Sequence, residues 1–405
     1  MSAASIAAYV ALGWGAFLLW MAIGALIKRA GLQRRHFARS RASAAGHAVL
    51  LARPCAGAEP GLLDNLLSVA RMPTRCELRV VMSIDDPADP ARAVIEQALP
   101  QLHAAGVRAE LAVIPPTGPN RKASMLAALH RDSEDELFAN VDSNVDLEDF
   151  PFDELLAPLV EADTGFGAIW GPWMEMQSYP GAGPRASAAV LGASLTSWSL
   201  LCGFYGQGLV GKIWAARKQA LDDIEAHELA YYLGEDLEMA NRMMRRGWKV
   251  GPVPVLGRAR GGPANFGAVV ARFGRWMVAA RGQRPELMPT YPLLFFATPM
   301  VLVLAAVGAL ARPELAGAAA LMTVLARLLV TLTAQYWAGR PMGPGRALVD
   351  AVLGDLALGL GWIRGMSSRE VQWRGHTLRV GRDGRLLDDH EGHEAGTRAS
   401  TRASV

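Results

Sequence analysis

Three groups of carboxylates and one basic-aromatic pentad occur in order along the chain. They are Asp85-Asp86, Asp142, Glu235-Asp236 and Arg272-Phe273-Gly274-Arg275-Trp276. Carboxylates bind hard cations such as Mg²⁺ and Mn²⁺ through oxygen, and they also act as general bases. Arginines three positions apart share a helix face and can hold a diphosphate through paired hydrogen bonds. Together these residues predict a site that binds a metal-bound diphosphate and that has a general base nearby to deprotonate a hydroxyl.

The first two groups each follow an apolar run that is typical of a β-strand. Asp142 is a candidate ligand for Mg²⁺ or Mn²⁺, an ion that would neutralise the diphosphate of a nucleotide sugar. Asp85 and Asp86 are candidate contacts to the base or ribose of the nucleotide. Both groups also allow a purely structural role, because an aspartate at a strand end commonly caps the following turn or helix.

The later groups also allow two interpretations each. Glu235 and Asp236 enter a predicted helix, where they are candidates for the general base or form an acidic first turn that favours the helix dipole. Lys122 follows a Pro/Gly loop and is either a contact to phosphate or base, or a solvated lysine. Trp276 beside the arginines is suited to stacking on a sugar or acceptor, and the same helix is suited to lie on anionic lipid.

The elements that must position these residues follow from the pattern between residue 46 and about residue 180. The predicted strands are His47–Ala52, Glu77–Ile84, Ala109–Ile114, Leu137–Val141 and Gly167–Gly171, and the predicted helices are Pro90–Ala105 and Lys122–His130. This alternation predicts an α/β domain with a mostly parallel sheet. Ligands of such sheets bind beyond the carboxyl ends of the strands, where Asp86 and Asp142 lie.

Apolar segments flank this domain. Ile6–Ile27 has no charged residue and is long enough to cross a bilayer core of about 30 Å. Basic residues follow it, so the positive-inside rule predicts a cytoplasmic main domain. Downstream, Pro292–Ala311 and Leu315–Ala338 are predicted membrane helices. The segment Ala347–Ile363 contains two aspartates, and whether it crosses the membrane stays open.

These patterns divide the chain into an N-terminal membrane helix (1–28), a basic linker (29–45), a catalytic domain (46–285), a membrane region of two to three helices (286–365) and a C-terminal tail (366–405). Within the catalytic domain, residues 186–211 contain no charge and are predicted to form an interfacial or re-entrant element. The net charge of +3 and the lack of a basic stripe exclude a nucleic-acid partner. Three scattered cysteines give neither a disulfide framework nor a metal motif.

In order and spacing, these motifs resemble the D, D, D, (Q/R)xxRW signature of GT-A glycosyltransferases, and most closely that of the ceramide glucosyltransferase family. The matching segments span nearly the whole chain: Asp85-Asp86-Pro87-Ala88, Asp142-Ser143, Glu235-Asp236, Arg246-Gly247-Trp248, the pentad with Arg272 and Arg275-Trp276, and Trp373-Arg374-Gly375. The chain departs from the family at Lys212, where a small residue is usual, and at Asn144, where a Gly usually follows the Asp-Ser pair.

The resemblance implies a GT-A (Rossmann-like) domain on the cytoplasmic side of a bacterial inner membrane, with Mg²⁺ or Mn²⁺ as cofactor. It implies an inverting transfer of a hexose, most simply glucose from UDP-glucose, to the primary hydroxyl of ceramide or a similar lipid. A hopanoid, a diacylglycerol and a polyprenyl phosphate are the alternative acceptors, and a non-catalytic sugar-lipid binding protein is the alternative class. Asp236 would be the base with Glu235 beside it. Asp86 would bind the nucleotide and Asp142 the metal, and Arg272, Arg275 and Trp276 the diphosphate and acceptor.

Overall fold

The computed structural model describes residues 1–37, 44–161, 164–176, 181–192, 208–262, 265–373 and 376–387. Within them the strands are β1 (Ala48–Pro54), β2 (Glu77–Ile84), β3 (Arg108–Val113), β4 (Leu137–Val141), β5 (Val145–Asp146), β6 (Phe166–Trp170), β7 (Trp173–Met176), β8 (Ile213–Arg217), β9 (Lys249–Pro252), β10 (Gly257–Arg260), β11 (Glu370–Trp373), β12 (His376–Val380) and β13 (Leu386–Leu387). The α-helices are α1 (Ala3–Phe37), α2 (Leu62–Leu67), α3 (Ala91–Ala104), α4 (Arg121–Arg131), α5 (Phe152–Val160), α6 (182–192), α7 (Lys218–Asp222), α8 (Glu235–Arg245), α9 (Phe266–Gln283), α10 (Tyr291–Phe295), α11 (Ala297–Gly308), α12 (Pro313–Trp337) and α13 (Pro344–Ser367).

In the described part of the chain, the main sheet has seven strands in the order β3-β2-β1-β4-β8-β6-β9. The pairs β2–β3, β1–β2, β1–β4 and β6–β9 are parallel, whereas β8 runs antiparallel to both β4 and β6. The predicted α/β, Rossmann-like class is therefore confirmed, and β2 and β4 have the predicted bounds. The reversed strand β8 was not predicted.

Apolar side chains cover both faces of this sheet. Leu51 and Val80 pack in one cluster with α3, while Leu50 and Val81 pack in a second cluster with α4 and α8. Successive side chains of a strand point to opposite faces, so neighbours in sequence join different clusters. Strands buried on both faces read as continuous apolar runs, which is why β4 was recognisable in the sequence.

Helices α1, α11 and α12 pack together outside the sheet domain through small residues. A Cβ at Gly308 would lie 2.7 Å from the Ala8 Cα, and one at Gly15 would lie 2.8 Å from the Ala319 carbonyl oxygen. Such close backbone approach is typical of membrane helix interfaces. Among the described residues, Ala3–Leu32 and Pro313–Trp337 are long and apolar enough to cross a membrane. The predicted helix Pro292–Ala311 is instead divided into α10 and α11.

Helix α13 joins this bundle to the sheet domain. A Cβ at Gly361 or Gly365 would lie within 2.9 Å of Phe273 or Met277 on α9, so these glycines let the two helices approach closely. The two aspartates of α13 are both paired with arginines. Asp350 accepts from Arg185 of α6, and Asp355 accepts from Arg327 of α12. Both carboxylates therefore face neighbouring helices.

The predicted charge-free element at 186–211 is described only at 186–192 and 208–211. Its first part belongs to α6, which packs against the C-terminal helices. A Cβ at Gly192 would lie 2.8 Å from Ala334 of α12, and one at Gly354 of α13 would lie 3.2 Å from Ala189. The element therefore begins at the junction between the sheet domain and the apolar helices.

Candidate active site

Asp142 follows the carboxyl end of β4, and a buried arginine fixes the turn that carries it. Arg53, at the end of the neighbouring β1, is fully buried. Its guanidinium donates to the carbonyls of Asp142 at 3.1 Å, Ser143 at 3.3 Å and Val145 at 2.7 Å. Burial lowers the pKa of Arg53 to about 10, but the carbonyl oxygens satisfy the buried charge. Two adjacent strands thus set the position of the Asp142 carboxylate.

Lys122 connects Asp142 to the acidic pair of α8. It lies in the first turn of α4, which is capped by Asn120. Its ammonium lies 2.7 Å from Asp142 Oδ1 and 3.8 Å from Glu235 Oε1, and it donates to the Gly211 carbonyl at 2.9 Å. Burial disfavours the charged form, but the surrounding carboxylates outweigh burial and raise the pKa of Lys122. Lys122 is therefore a fixed positive charge, not the solvated lysine of the alternative interpretation.

A second ammonium faces the other oxygen of Asp142. Lys212 Nζ lies 3.6 Å from Asp142 Oδ2, donates to Asn144 Oδ1 at 2.7 Å and lies 4.7 Å from the centre of the Trp173 ring. Burial lowers the pKa of Lys212, and Asp142 opposes this effect. For Asp142, burial is outweighed by Lys122 and Lys212, which lower the pKa of the carboxyl. Asp142 is thus an ionised carboxylate between two cations.

Glu235 and Asp236 form the first turn of α8 and reach the same polar cluster. Asp236 accepts from the backbone N–H groups of Gly211 at 2.7 Å and Leu237 at 2.9 Å. Glu235 accepts from the side-chain amide of Asn120 at 3.0 Å. Burial raises the pKa of both carboxyls, and with the charge of Asp236 it brings the pKa of Glu235 to about 7. Carboxyls with a raised pKa are suited to general-base chemistry.

The two members of the Asp85-Asp86 pair make different contacts at the end of β2. Asp85 is buried, and its Oδ2 accepts from Arg121 at 3.1 Å, which places it beside the start of α4. Asp86 is exposed, and its Oδ1 accepts from the Ala88 N–H at 2.8 Å, the turn-capping contact of the alternative interpretation. Asp85 therefore contacts the residue that precedes Lys122 on α4, while Asp86 faces solvent at the end of β2.

Arg272 of α9 is held by a buried glutamate that was not singled out in the sequence. Its NH1 donates to Glu175 of β7 and, at 3.3 Å, to Ser187 Oγ of α6. Ser187 in turn donates to Glu175 at 2.6 Å. Arg272 and Glu175 both influence the pKa of Lys212, so this group borders the polar cluster. The pentad thus begins where the sheet domain, α6 and α9 meet.

The rest of the pentad continues towards the apolar helices. Burial lowers the pKa of Arg275, and the nearby charge of Arg272 lowers it further. The Trp276 ring meets the Phe273 ring edge-on at 5.1 Å and is 38% exposed. A partly exposed tryptophan beside arginines is suited to a polar-apolar boundary.

A three-stranded sheet of β11, β12 and β13, as far as the chain is described, lies apart from the main sheet and supports the start of α8. The N–H of Leu233 donates to the Gly384 carbonyl at 3.4 Å, and Arg385 donates to Glu228 at 3.0 Å. Gln283 of α9 donates to the carbonyl of Gly234, the N-cap of α8, at 2.9 Å. We refer to these contacts as the C-terminal brace. It fixes the residue that precedes Glu235.

Replacing Gly282 with Ala is expected to disturb the brace. The new Cβ would lie 2.5 Å from the Gly384 Cα, and Gly384 has a φ of 83°, which leaves its turn little freedom to move. We expect a loss of about 1–3 kcal/mol in stability, as for other overpacked sites, together with a lower rate of the sugar transfer that the sequence predicts. Thermal unfolding and initial rates measure both. Gly267→Ala on the same helix is the control, because its Cβ would meet only Asn265 at 3.4 Å. If Gly282→Ala and Gly267→Ala had the same thermal stability and the same initial rates, the brace would have no role in either property.

Asp142 is the residue of this cluster best suited to hold a divalent ion. Among the described residues, no three His, Cys, Asp or Glu side chains group into a metal site. Mg²⁺ commonly uses only one or two carboxylates and completes its shell with phosphate oxygens and water. One ionised carboxylate with the amide oxygen of Asn144 nearby fits that type of site, provided that Lys212 releases both.

The cluster also contains residues that sequence reasoning did not assign to the site. Lys212 was only a departure from the family pattern, and neither Asn120 nor Arg53 was predicted to belong to the site. The sequence does indicate a special role for Lys212, because a lysine in an otherwise uncharged stretch is unusual. Arg53 within an apolar strand is a similar indication, since buried arginines require several acceptors.

One protein-family model matches most of the chain. The family model described as Glycosyl transferase family 21 matches residues 13–386. Among solved structures, the chain is similar to the mannosyltransferase PcManGT from Pyrobaculum calidifontis in complex with GDP-Man and Mn²⁺, with 15% identity, 86% of this chain and 99% of that chain covered, and a TM-score of 0.47. It is also similar to glucosyl-3-phosphoglycerate synthase from Mycobacterium tuberculosis in complex with Mn²⁺, UDP and glucosyl-3-phosphoglycerate, with 15% identity, 55% and 75% covered, and a TM-score of 0.35. No curated protein matches the sequence.

Proposed function

Because the chain belongs to glycosyl transferase family 21, we propose that it transfers glucose from UDP-glucose, with inversion, to the primary hydroxyl of ceramide or a ceramide-like lipid. The observation that carries this proposal is the position of Lys122. One ammonium contacts both Asp142, a candidate diphosphate-side residue, and Glu235, a candidate base-side residue. The residues proposed for the two ends of a glycosyl transfer therefore both lie within 3.8 Å of one ammonium group.

In this mechanism the donor lies across the ends of β2 and β4. Asp85 and Asp86 bind the nucleoside, and Lys122 with the arginines Arg272 and Arg275 binds the diphosphate. A Mg²⁺ or Mn²⁺ ion ligated by Asp142 would neutralise charge on the departing diphosphate. For Arg272 to bind the diphosphate, its guanidinium must share or leave Glu175.

Asp236 is the proposed base, with Glu235 beside it. Asp236 takes the proton of the lipid hydroxyl as the hydroxyl oxygen forms a bond to the anomeric carbon. The bond between that carbon and the diphosphate oxygen breaks on the opposite face, and UDP leaves with the bonding electrons. Inversion follows from attack opposite the leaving group. The N–H groups of Gly211 and Leu237 hold the carboxylate in place for this step.

A membrane-bound acceptor is supported by the apolar helices around the pentad. Helices α11, α12 and α13 present large exposed apolar side chains, with Val303 63%, Leu321 59% and Val352 54% exposed. Scattered exposed apolar residues are common, but a band across several packed helices indicates contact with lipid. The basic residues after Ile27 favour a catalytic domain on the cytoplasmic face, which we propose is that of a bacterial inner membrane. Trp276 would then lie near the interface where the lipid headgroup is presented.

The rate of transfer is expected to rise with pH. A base must be deprotonated to act, and burial raises the pKa of both carboxyls, to about 7 for Glu235. Below this pH the pair holds a proton and kcat/KM falls; above it the rate reaches a plateau. The midpoint belongs to the pair and not to one residue. Glu235→Gln should lower the midpoint, because it removes a neighbouring negative charge from Asp236. A profile of kcat/KM without a titration in the neutral range would contradict this expectation.

The function is tested with the full chain in lipid nanodiscs. UDP-glucose, UDP-galactose and UDP-N-acetylglucosamine are each supplied with ceramide, diacylglycerol, a hopanoid or a polyprenyl phosphate, and products are identified by mass spectrometry. We expect glucosylceramide, with the β-anomer established by NMR. Transfer only to another lipid would assign that acceptor instead. Binding of UDP-sugar without any product across the panel would favour a non-catalytic sugar-lipid binding protein.

A further inference from the structure

Lys212 occupies the position from which a metal ion would approach Asp142. Its ammonium faces Asp142 Oδ2 at 3.6 Å, while Lys122 contacts Oδ1 at 2.7 Å. Lys212 also donates to Asn144, the nearby amide oxygen donor, at 2.7 Å. The oxygens best suited to ligate a divalent ion are thus engaged by ammonium groups. A metal ion and an ammonium compete for the same electron pairs, and their like charges repel each other.

The surroundings of Lys212 hold its ammonium in this place. The side chain is 16% exposed, and the Trp173 ring lies 4.7 Å away, where the face of an indole attracts a cation. The nearby charge of Arg272, by contrast, lowers the pKa of Lys212 and so weakens the hold on its ammonium. Lys122 differs, because the Gly211 carbonyl and Glu235 also hold it. Lys212 is therefore the ammonium that can turn away from Asp142 when another anion arrives.

We propose that Lys212 prevents a divalent ion from binding Asp142 until a nucleoside diphosphate is present. The inference rests on the proposed metal role of Asp142. A diphosphate brings negative oxygens to which the Lys212 ammonium can turn, which releases Asp142 and Asn144. Asp142 and Asn144 would then be free to hold the ion, which would neutralise charge on the diphosphate. Lys212 in this sense is a positioning residue that makes metal binding conditional on the donor.

The test measures Mn²⁺ binding to the full chain in nanodiscs, by the loss of the free Mn²⁺ signal in electron paramagnetic resonance. With Mn²⁺ alone, the wild-type protein is expected to bind at least about tenfold more weakly than with saturating UDP. Lys212→Met should bind Mn²⁺ alone at least about tenfold more tightly than the wild type. By linkage, Mn²⁺ should then enhance UDP affinity less in the variant than in the wild type. Lys212→Gln, which keeps a polar group, is a second variant in case the methionine disturbs folding.

Two controls make the result specific. Lys249→Met removes an ammonium that donates to the Thr164 carbonyl at a different place, and it should behave as the wild type. Adding Asp142→Asn to Lys212→Met should remove the gained Mn²⁺ binding. Equal affinity of wild type and both Lys212 variants for Mn²⁺ alone would overturn the proposal while leaving the transfer function intact. Absence of Mn²⁺ binding with UDP in every variant would overturn the inference and the metal role together, and the product assay would then decide the transfer function separately.

Discussion

Asp236→Asn is expected to lower kcat for glycolipid formation by about 10²- to 10⁴-fold, the usual contribution of a general base. The amide keeps the shape of the side chain but cannot accept the proton of the lipid hydroxyl. Donor binding should remain, since the nucleoside and diphosphate are assigned to the ends of β2 and β4. The measurements are product formation by mass spectrometry and UDP binding by calorimetry. Full turnover by this variant would exclude Asp236 as the base.

Glu238→Gln is the matched control for that experiment. Glu238 is also an acid in the first turn of α8, but it pairs with Arg242 at 2.9 Å and Arg245 at 3.2 Å on the same helix. It therefore contributes to the helix dipole without reaching the polar cluster. If Glu238→Gln lost transfer as severely as Asp236→Asn, the acids would act on helix stability and not on the reaction. Thermal unfolding of both variants shows whether helix stability has changed, and so separates these outcomes. Asp236→Asn itself loses one hydrogen bond, because its amide oxygen replaces only one of the two carboxylate oxygens that accept from the N–H groups of Gly211 and Leu237.

Asp142→Asn is expected to lower kcat/KM for the UDP-sugar on the order of 100-fold or more, through loss of a metal ligand at the diphosphate. It also leaves the ammonium groups of Lys122 and Lys212 close together without their shared carboxylate. Weaker binding of UDP with Mn²⁺ should accompany the loss of rate. Asp146→Asn, in the same turn but paired with Arg260 at 2.8 Å, should bind and transfer normally. If the two variants bound UDP and Mn²⁺ equally well, Asp142 would have no part in the donor site.

The sequence was most informative where one local rule decides the structure. Strand β4 is buried throughout, so its apolar run gave both its bounds and the position of Asp142 at its end. The predicted helix Lys122–His130 likewise lies within α4, which extends one residue further at each end. The order of the acids and their placement at strand ends indicated the candidate site because parallel strands deliver their carboxyl ends to one edge.

Other parts of the site depend on contacts that sequence spacing does not contain. Strand β8 runs antiparallel between β4 and β6, and that reversal is what brings Lys212 to Asp142. The engagement of Arg272 by Glu175 required the packing of α6 against α9. Long-range pairings of this kind are not encoded by a local pattern.

The C-terminal brace has a consequence for how the protein is made. Strands β12 and β13 are synthesised after α13, whereas α8 with its two carboxylates leaves the ribosome much earlier. The contacts of Gly384 and Arg385 with the segment before Glu235 therefore form last. A nascent chain that has not yet released its final helix lacks this support for its acidic pair. Sugar transfer should accordingly begin only after α13 and the strands β12 and β13 have been synthesised.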